Sequence, residues 1–138
     1  MNLREGAPPA EPALSPEERA AFEKGVAEFN AGYFFECHDT LEDLWSGVRG
    51  PSRDFFQGLI QVSVGFYHLT NGNLAGAESM FGRALRRLAK YPERYAGFDL
   101  AAHRAEIGSW LERIRAGDSP LPLTDLPKWT FSSAPPSR

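Results

Sequence analysis

The chain has 138 residues, 42% apolar and 24% charged, with a net charge of −3, which fits one soluble globular domain with a genuine core. The acidic balance excludes a global basic field for nucleic acid or an anionic membrane. A single cysteine, Cys37, excludes an intramolecular disulfide and a cysteine zinc cluster.

The opening residues 1–14 are rich in proline and alanine and read as a flexible arm. They contain no apolar core of a signal peptide, and no later run approaches membrane-spanning length, so a cytoplasmic protein is expected. Ser15-Pro16-Glu17-Glu18 is a helix start with a serine N-cap, an early proline and a capping-box glutamate. That helix carries Phe22, Val26 and Phe29 on one face and stops near Gly32. A second helix is predicted from about Tyr33 to Ser46, and a third from after Ser52 to about Thr70. Asn73 caps a fourth that ends before Pro92, and Asp99 opens a fifth that Gly117 closes. The connecting "YPERYAGFD" shows no strand-like alternation. Residues 118–138 read as an extended tail, with Trp129 and Phe131 laid against the helices. The expectation is an all-α, single-domain antiparallel bundle of about five helices over residues 15–117: two helical hairpins, a C-terminal helix and the tail. Gly32 and Gly72 sit in similar turns, a faint echo of a tetratricopeptide-like interaction module.

The stretch "FFECHDTLEDLW" carries the chemistry. At about 100° per residue, Glu36, Asp39 and Asp43 form one solvated face, whereas His38, Glu42 and Trp45 share the side of Phe34 and Phe35. Cys37 reads as a small packed residue. The third helix, "FFQGLIQVSVGFYHL", is apolar nearly all round except for Gln57, Gln61 and His68, which fall on one narrow stripe. Buried amides need partners, so this stripe is expected to face His38 and Glu42. Gln57 and His68 lie about 16 Å apart along the axis, too far for one site, so His68 belongs to its far end or to another network.

The pattern H-x-x-x-E-x-x-W (His38, Glu42, Trp45), between "FNAGYFFE" and "FFQGLIQVSVGFYHLTNGNLAGA", resembles the domain-of-unknown-function 309 family of small helical prokaryotic proteins. The resemblance covers roughly Phe22 to Leu100 and implies an all-α bundle with a site at His38, Glu42 and Trp45. Asp39 stands where the family often has glutamate. The family has no established activity, so the chemistry stays open.

Three functions share these residues. In a packing role, Glu42 accepts hydrogen bonds from His38, Trp45 or a glutamine and fixes how two helices cross. In a ligand site or hydrolase, His38 and Glu42 are the acid–base pair, Glu42 having a raised pKa, and Trp45, Gln57, Gln61 and His68 line the pocket. A metal-assisted version recruits His38, Glu42 and His68; a closed structural metal site is not expected, and no cofactor is assigned. As an interaction module, the fold would offer an inter-helix groove. Arg83, Arg86 and Lys90 lie opposite the apolar Ala77, Phe81, Ala84 and Leu88, as a solvated face does. His103, at the edge of the Leu100, Ile107, Leu111, Ile114 stripe, reads as a packing residue. A small-molecule ligand and a second copy of the chain are the partners left to consider.

Overall fold

A computed structural model describes residues 9–117 and 126–131, and among these the fold is all-α apart from one short hairpin. Helix α1 (Pro16–Asn30) starts on the predicted capping box: Glu18 N donates to Ser15 Oγ at 3.0 Å, and Ser15 N to Glu18 Oε1 at 2.9 Å. Helices α2 (Phe34–Gly47), α3 (Arg53–Thr70), α4 (Leu74–Leu88) and α5 (Leu100–Ala116) follow, each antiparallel to its predecessor across a short connection. The α1–α2 and α3–α4 turns are built alike. Gly32 and Gly72 take φ of 85° and 79°, and the next residue's amide reaches back to the carbonyl five before it, Tyr33 to Glu28 and Asn73 to His68. The echo in the sequence is therefore a repeated Schellman turn.

Helix α3 is central, as its composition requires. Phe55, Phe56, Leu59, Ile60, Val62, Phe66 and Leu69 are buried, and Gly58 and Gly65 let α4 approach. A Cβ built on Gly58 would stand 2.7 Å from Leu88 Cδ2, and one on Gly65 would overlap the Phe81 ring. Phe22, Phe29, Phe66 and Phe98 tie α1, α3 and the hairpin into one aromatic core.

The "YPERYAGFD" connection folds differently from expectation. It forms a two-stranded hairpin, β1 (Arg94–Tyr95) with β2 (Phe98–Asp99), around Ala96 and Gly97 at φ of 53° and 78°. Such a turn needs positive φ at both central residues, for which asparagine–glycine is the usual signal. Alanine in the first position hid it, and two-residue strands are too short to alternate. Asp99 stands at the α5 N-cap without a side-chain cap bond.

Of the expected arm over residues 1–14, residues 1–8 lie outside the described residues. In the remainder, Glu11 Oε1 accepts from Ala96 N at 2.7 Å, Tyr95 Oη donates to Ala10 O, and Leu14 packs on the core. Of the expected tail, residues 118–125 and 132–138 are likewise outside. Trp129 stacks on Phe29 with ring centroids 3.8 Å apart, and Phe131 bridges to Phe98. His103 is buried, as a packing histidine, and holds this segment: Thr130 N donates to its Nε2 at 3.1 Å. No described helix is long and apolar enough to cross a membrane.

Candidate functional site

Helix α2 buries Phe34, Cys37, Leu41 and Leu44, so its inward face is centred between Cys37 and Leu41. Cys37 is fully buried, and burial pushes its thiol up to about 12, in keeping with the packed residue that was expected. Glu36, Asp39 and Asp43 are exposed, also as expected. Glu42 corrects the helical wheel: its side chain is 55% exposed, because its flank lies well off the true inward direction. The premise of a carboxylate buried among aromatics does not hold. His38, at 24% exposure, sits on the boundary.

His38 stands between two carboxylates. Its Nε2 is 3.5 Å from Glu42 Oε2, and its Nδ1 is 3.3 Å from Asp39 Oδ1. The second contact is not aligned as a hydrogen bond, and Nδ1 is buried without a partner. One donor atom from each of His38, Asp39 and Glu42 lies within 4.8 Å of the others, a spacing that can admit a divalent cation. This replaces the His38, Glu42, His68 combination considered from sequence. His68 caps the α3–α4 turn instead, with Nδ1 3.3 Å from Asn73 Nδ2. Phe35, Tyr67 and Tyr33 are exposed aromatics, Phe35 lying 5.8 Å from the His38 ring.

Neither Gln57 nor Gln61 is hydrogen-bonded to Glu42, whose side chain pairs with His38. Gln61 is buried, makes no hydrogen bond to another described residue, and keeps its Oε1 unpartnered. The stripe it shares with Gln57 faces outward between α2 and α4, where two clefts adjoin. One, of about 610 Å³, is lined by Trp45, Gln57, Arg53, Asp54, Arg87 and Lys90 among others. The other, of about 460 Å³, is lined by Gln61, Asp54, Arg83, Arg86, Arg87 and Lys90. Asp54, Arg87 and Lys90 border both.

Sequence reasoning missed Arg53, Asp54 and Arg87. The Arg53 guanidinium stacks 3.8 Å from the Trp45 ring centre and donates to the Trp45 and Val48 carbonyls at 2.9 Å each. It thereby closes the C-terminus of α2 and fixes the indole, whose Nε1 is buried without a partner. Asp54 pairs with Arg87 and Lys90, fastening α3 to α4. Burial alone would raise the Asp54 carboxyl, but the Lys90 hydrogen bond and the charges of Arg87 and Lys90 outweigh it and hold the carboxyl below its usual value. The signal available in the sequence was charge on an otherwise apolar helix, Arg53 and Asp54 at the α3 start.

A helical bundle with a polar groove along its central helix is the class that fold and site define. Residues 22–80 match the family model of the domain of unknown function (DUF309), over the stretch that holds His38, Glu42, Trp45, Gln57, Gln61 and His68. The chain is also similar to an uncharacterized protein of Aquifex aeolicus (strain VF5), 25% identical over 93 residues, which is 67% of this chain and 28% of that protein. It is 35% identical over 65 residues to the uncharacterized protein YpuF of Bacillus subtilis (strain 168), 46% of this chain and 37% of that protein. The chain thus spans only about a third of the length of the curated relatives it matches.

Proposed function

We propose that the groove between α2 and α4, floored by α3, binds a small polar organic ligand. Trp45, Gln57 and Gln61 form its lining, and Glu42 and His38 lie further along the same flank of α2, about one and two turns from Trp45. The observation that carries this is the distribution of unpartnered buried polar atoms. Among the described residues they are Glu28 Oε1, His38 Nδ1, Trp45 Nε1 and Gln61 Oε1, so three of the four belong to this flank and floor. Each such atom costs about 1–3 kcal/mol, which a scaffold serving only packing would avoid. Binding is tested by ligand-observed NMR with a metabolite panel. A ligand displaced or lost in Trp45→Phe and Gln61→Leu, both still folded, supports the reading. Ligands that bind all variants alike count against it.

A second reading, favoured by the His38–Asp39–Glu42 spacing, is a divalent cation at that cluster activating water for hydrolysis. His38 would supply one imidazole nitrogen, and Asp39 and Glu42 one oxygen each. Under this reading, zinc or manganese raises the melting temperature of the parent protein but not of His38→Ala. An equal rise in both would set the metal elsewhere.

A further inference from the structure

We propose that the cleft between α3 and α4 is an anion subsite that takes the phosphate of a small phosphate ester, with Arg83 and Arg86 as its cationic ligands and Gln61 reading the hydroxyl-bearing part. This rests on the ligand-groove reading above and names the ligand's chemical class.

The charge is the first support. The whole chain is at −3, yet this cleft gathers Arg83, Arg86, Arg87 and Lys90 against a single carboxylate, Asp54, a surplus of three positive charges. The one acid is already committed to Arg87 and Lys90. Arg83 and Arg86 have no carboxylate partner among the described residues, and both line the cleft. Two free guanidinium groups beside two partly neutralised cations suit a phosphate, which carries about −1.5 to −2 charge and accepts paired N–H bonds. A single carboxylate would leave most of the surplus uncompensated.

Gln61 supplies the second, independent support. Arginines on the outer face of α4 would be ordinary solvated side chains if nothing else met them. The cleft floor, however, is a glutamine only 7% exposed, whose Oε1 has no donor. Oε1 itself is closed to solvent, but the amide borders the cleft, and a turn about its last, broad torsion brings this acceptor to a ligand that carries a hydroxyl or N–H together with its anion. The adjoining cleft of about 610 Å³ along Gln57 and Trp45 gives the organic part room, and the shared border of Asp54, Arg87 and Lys90 makes the path continuous. Stability gains nothing from burying that acceptor unpaired; binding does.

The test is calorimetric titration of the full chain with ribose 5-phosphate, inorganic phosphate and ribose. Ribose 5-phosphate is expected to bind more tightly than inorganic phosphate, and ribose not to bind. Arg83→Ala and Arg86→Ala should each weaken the ester by about tenfold. Affinity should also fall as salt is raised. Gln61→Leu should remove the preference for the ester over inorganic phosphate while leaving phosphate binding intact. Absence of ester binding up to about 10 mM, a ligand concentration that still detects very weak complexes, would overturn the proposal. So would unchanged affinity in the Arg83→Ala/Arg86→Ala double variant. Inorganic phosphate binding as tightly as the ester, with Gln61→Leu silent, would mean an adventitious ion only, and would overturn it too. A neutral metabolite that binds in a Trp45-dependent way while the ester does not would sink the phosphate assignment and leave the groove reading standing.

Discussion

Gln61 is the residue at which stability and function pull apart. The sequence sets its stripe to face Glu42 and His38, a pairing that would make Gln61→Leu costly. In the structure Glu42 is exposed and Gln61 Oε1 has no donor, which reverses the sign. Gln61→Leu removes an unpaired buried acceptor and fits the volume roughly, so it should raise unfolding stability by about 1 kcal/mol. Urea titration of parent and variant measures this directly. Because the two side chains share no hydrogen bond, Glu42→Leu and Gln61→Leu should be additive to within about 0.5 kcal/mol. A coupling well above that would mean that the two residues communicate after all.

The element that organises the molecule is α3, and its glycines set how closely α4 can lie. Gly65→Ala drives a methyl into the Phe81 ring, which is fully buried, so the helices must separate or Phe81 must leave its rotamer. A loss of about 1–3 kcal/mol is expected in equilibrium unfolding, with the cleft residues Arg83 and Arg87 displaced on α4. Gly108 in α5 gives the contrast. Nothing lies within 4 Å of a Cβ placed there, so Gly108→Ala should stabilise by about 0.5–1 kcal/mol through helix propensity and a less flexible unfolded chain. Both substitutions exchange the same two residue types inside helices, so opposite signs would isolate packing from propensity.

For the whole molecule, the described part of the C-terminal segment makes stability depend on pH. His103 Nε2 accepts from Thr130 N, which requires the neutral imidazole. Burial lowers the His103 pKa below its ordinary 6.5, against the opposing pull of the Thr130 backbone, Asp99 and Glu106. In the window just below 6.5 the unfolded chain binds the proton and the folded one does not, so stability falls as pH drops through it. Above that window the contribution is fully present. Chemical unfolding at about pH 7.5 and pH 5.5 should show this decline, flattened in His103→Gln, whose amide oxygen can still accept from Thr130. Asp54 acts in a lower range: its carboxyl is held down in the folded state, so its contribution is present above the ordinary carboxylate pKa and lost as pH falls through the folded value.

Local chemistry made much of this fold legible in the sequence. The Ser15–Glu18 capping box, the Gly32 and Gly72 turns, Asn73 as a cap and Gly117 as a stop act within a few residues of themselves, so the five helices could be read directly. The buried row Ala77, Phe81, Ala84 and Leu88 follows from the helical period alone. Residues His38, Glu42 and Trp45 were identifiable by type and spacing, but not their surroundings. Which flank of α2 turns inward depends on its packing against both α1 and α3, with Leu41 set against Gly25, and in that packing Phe34, Cys37, Leu41 and Leu44 are buried while Glu42 stays exposed. The same packing sets α4 beside the outward stripe of α3. Three basic side chains that α4 alone would present to solvent, with Lys90 just beyond its end, thus border a cleft with Gln61, because residues far apart in the chain become neighbours only when the helices pack.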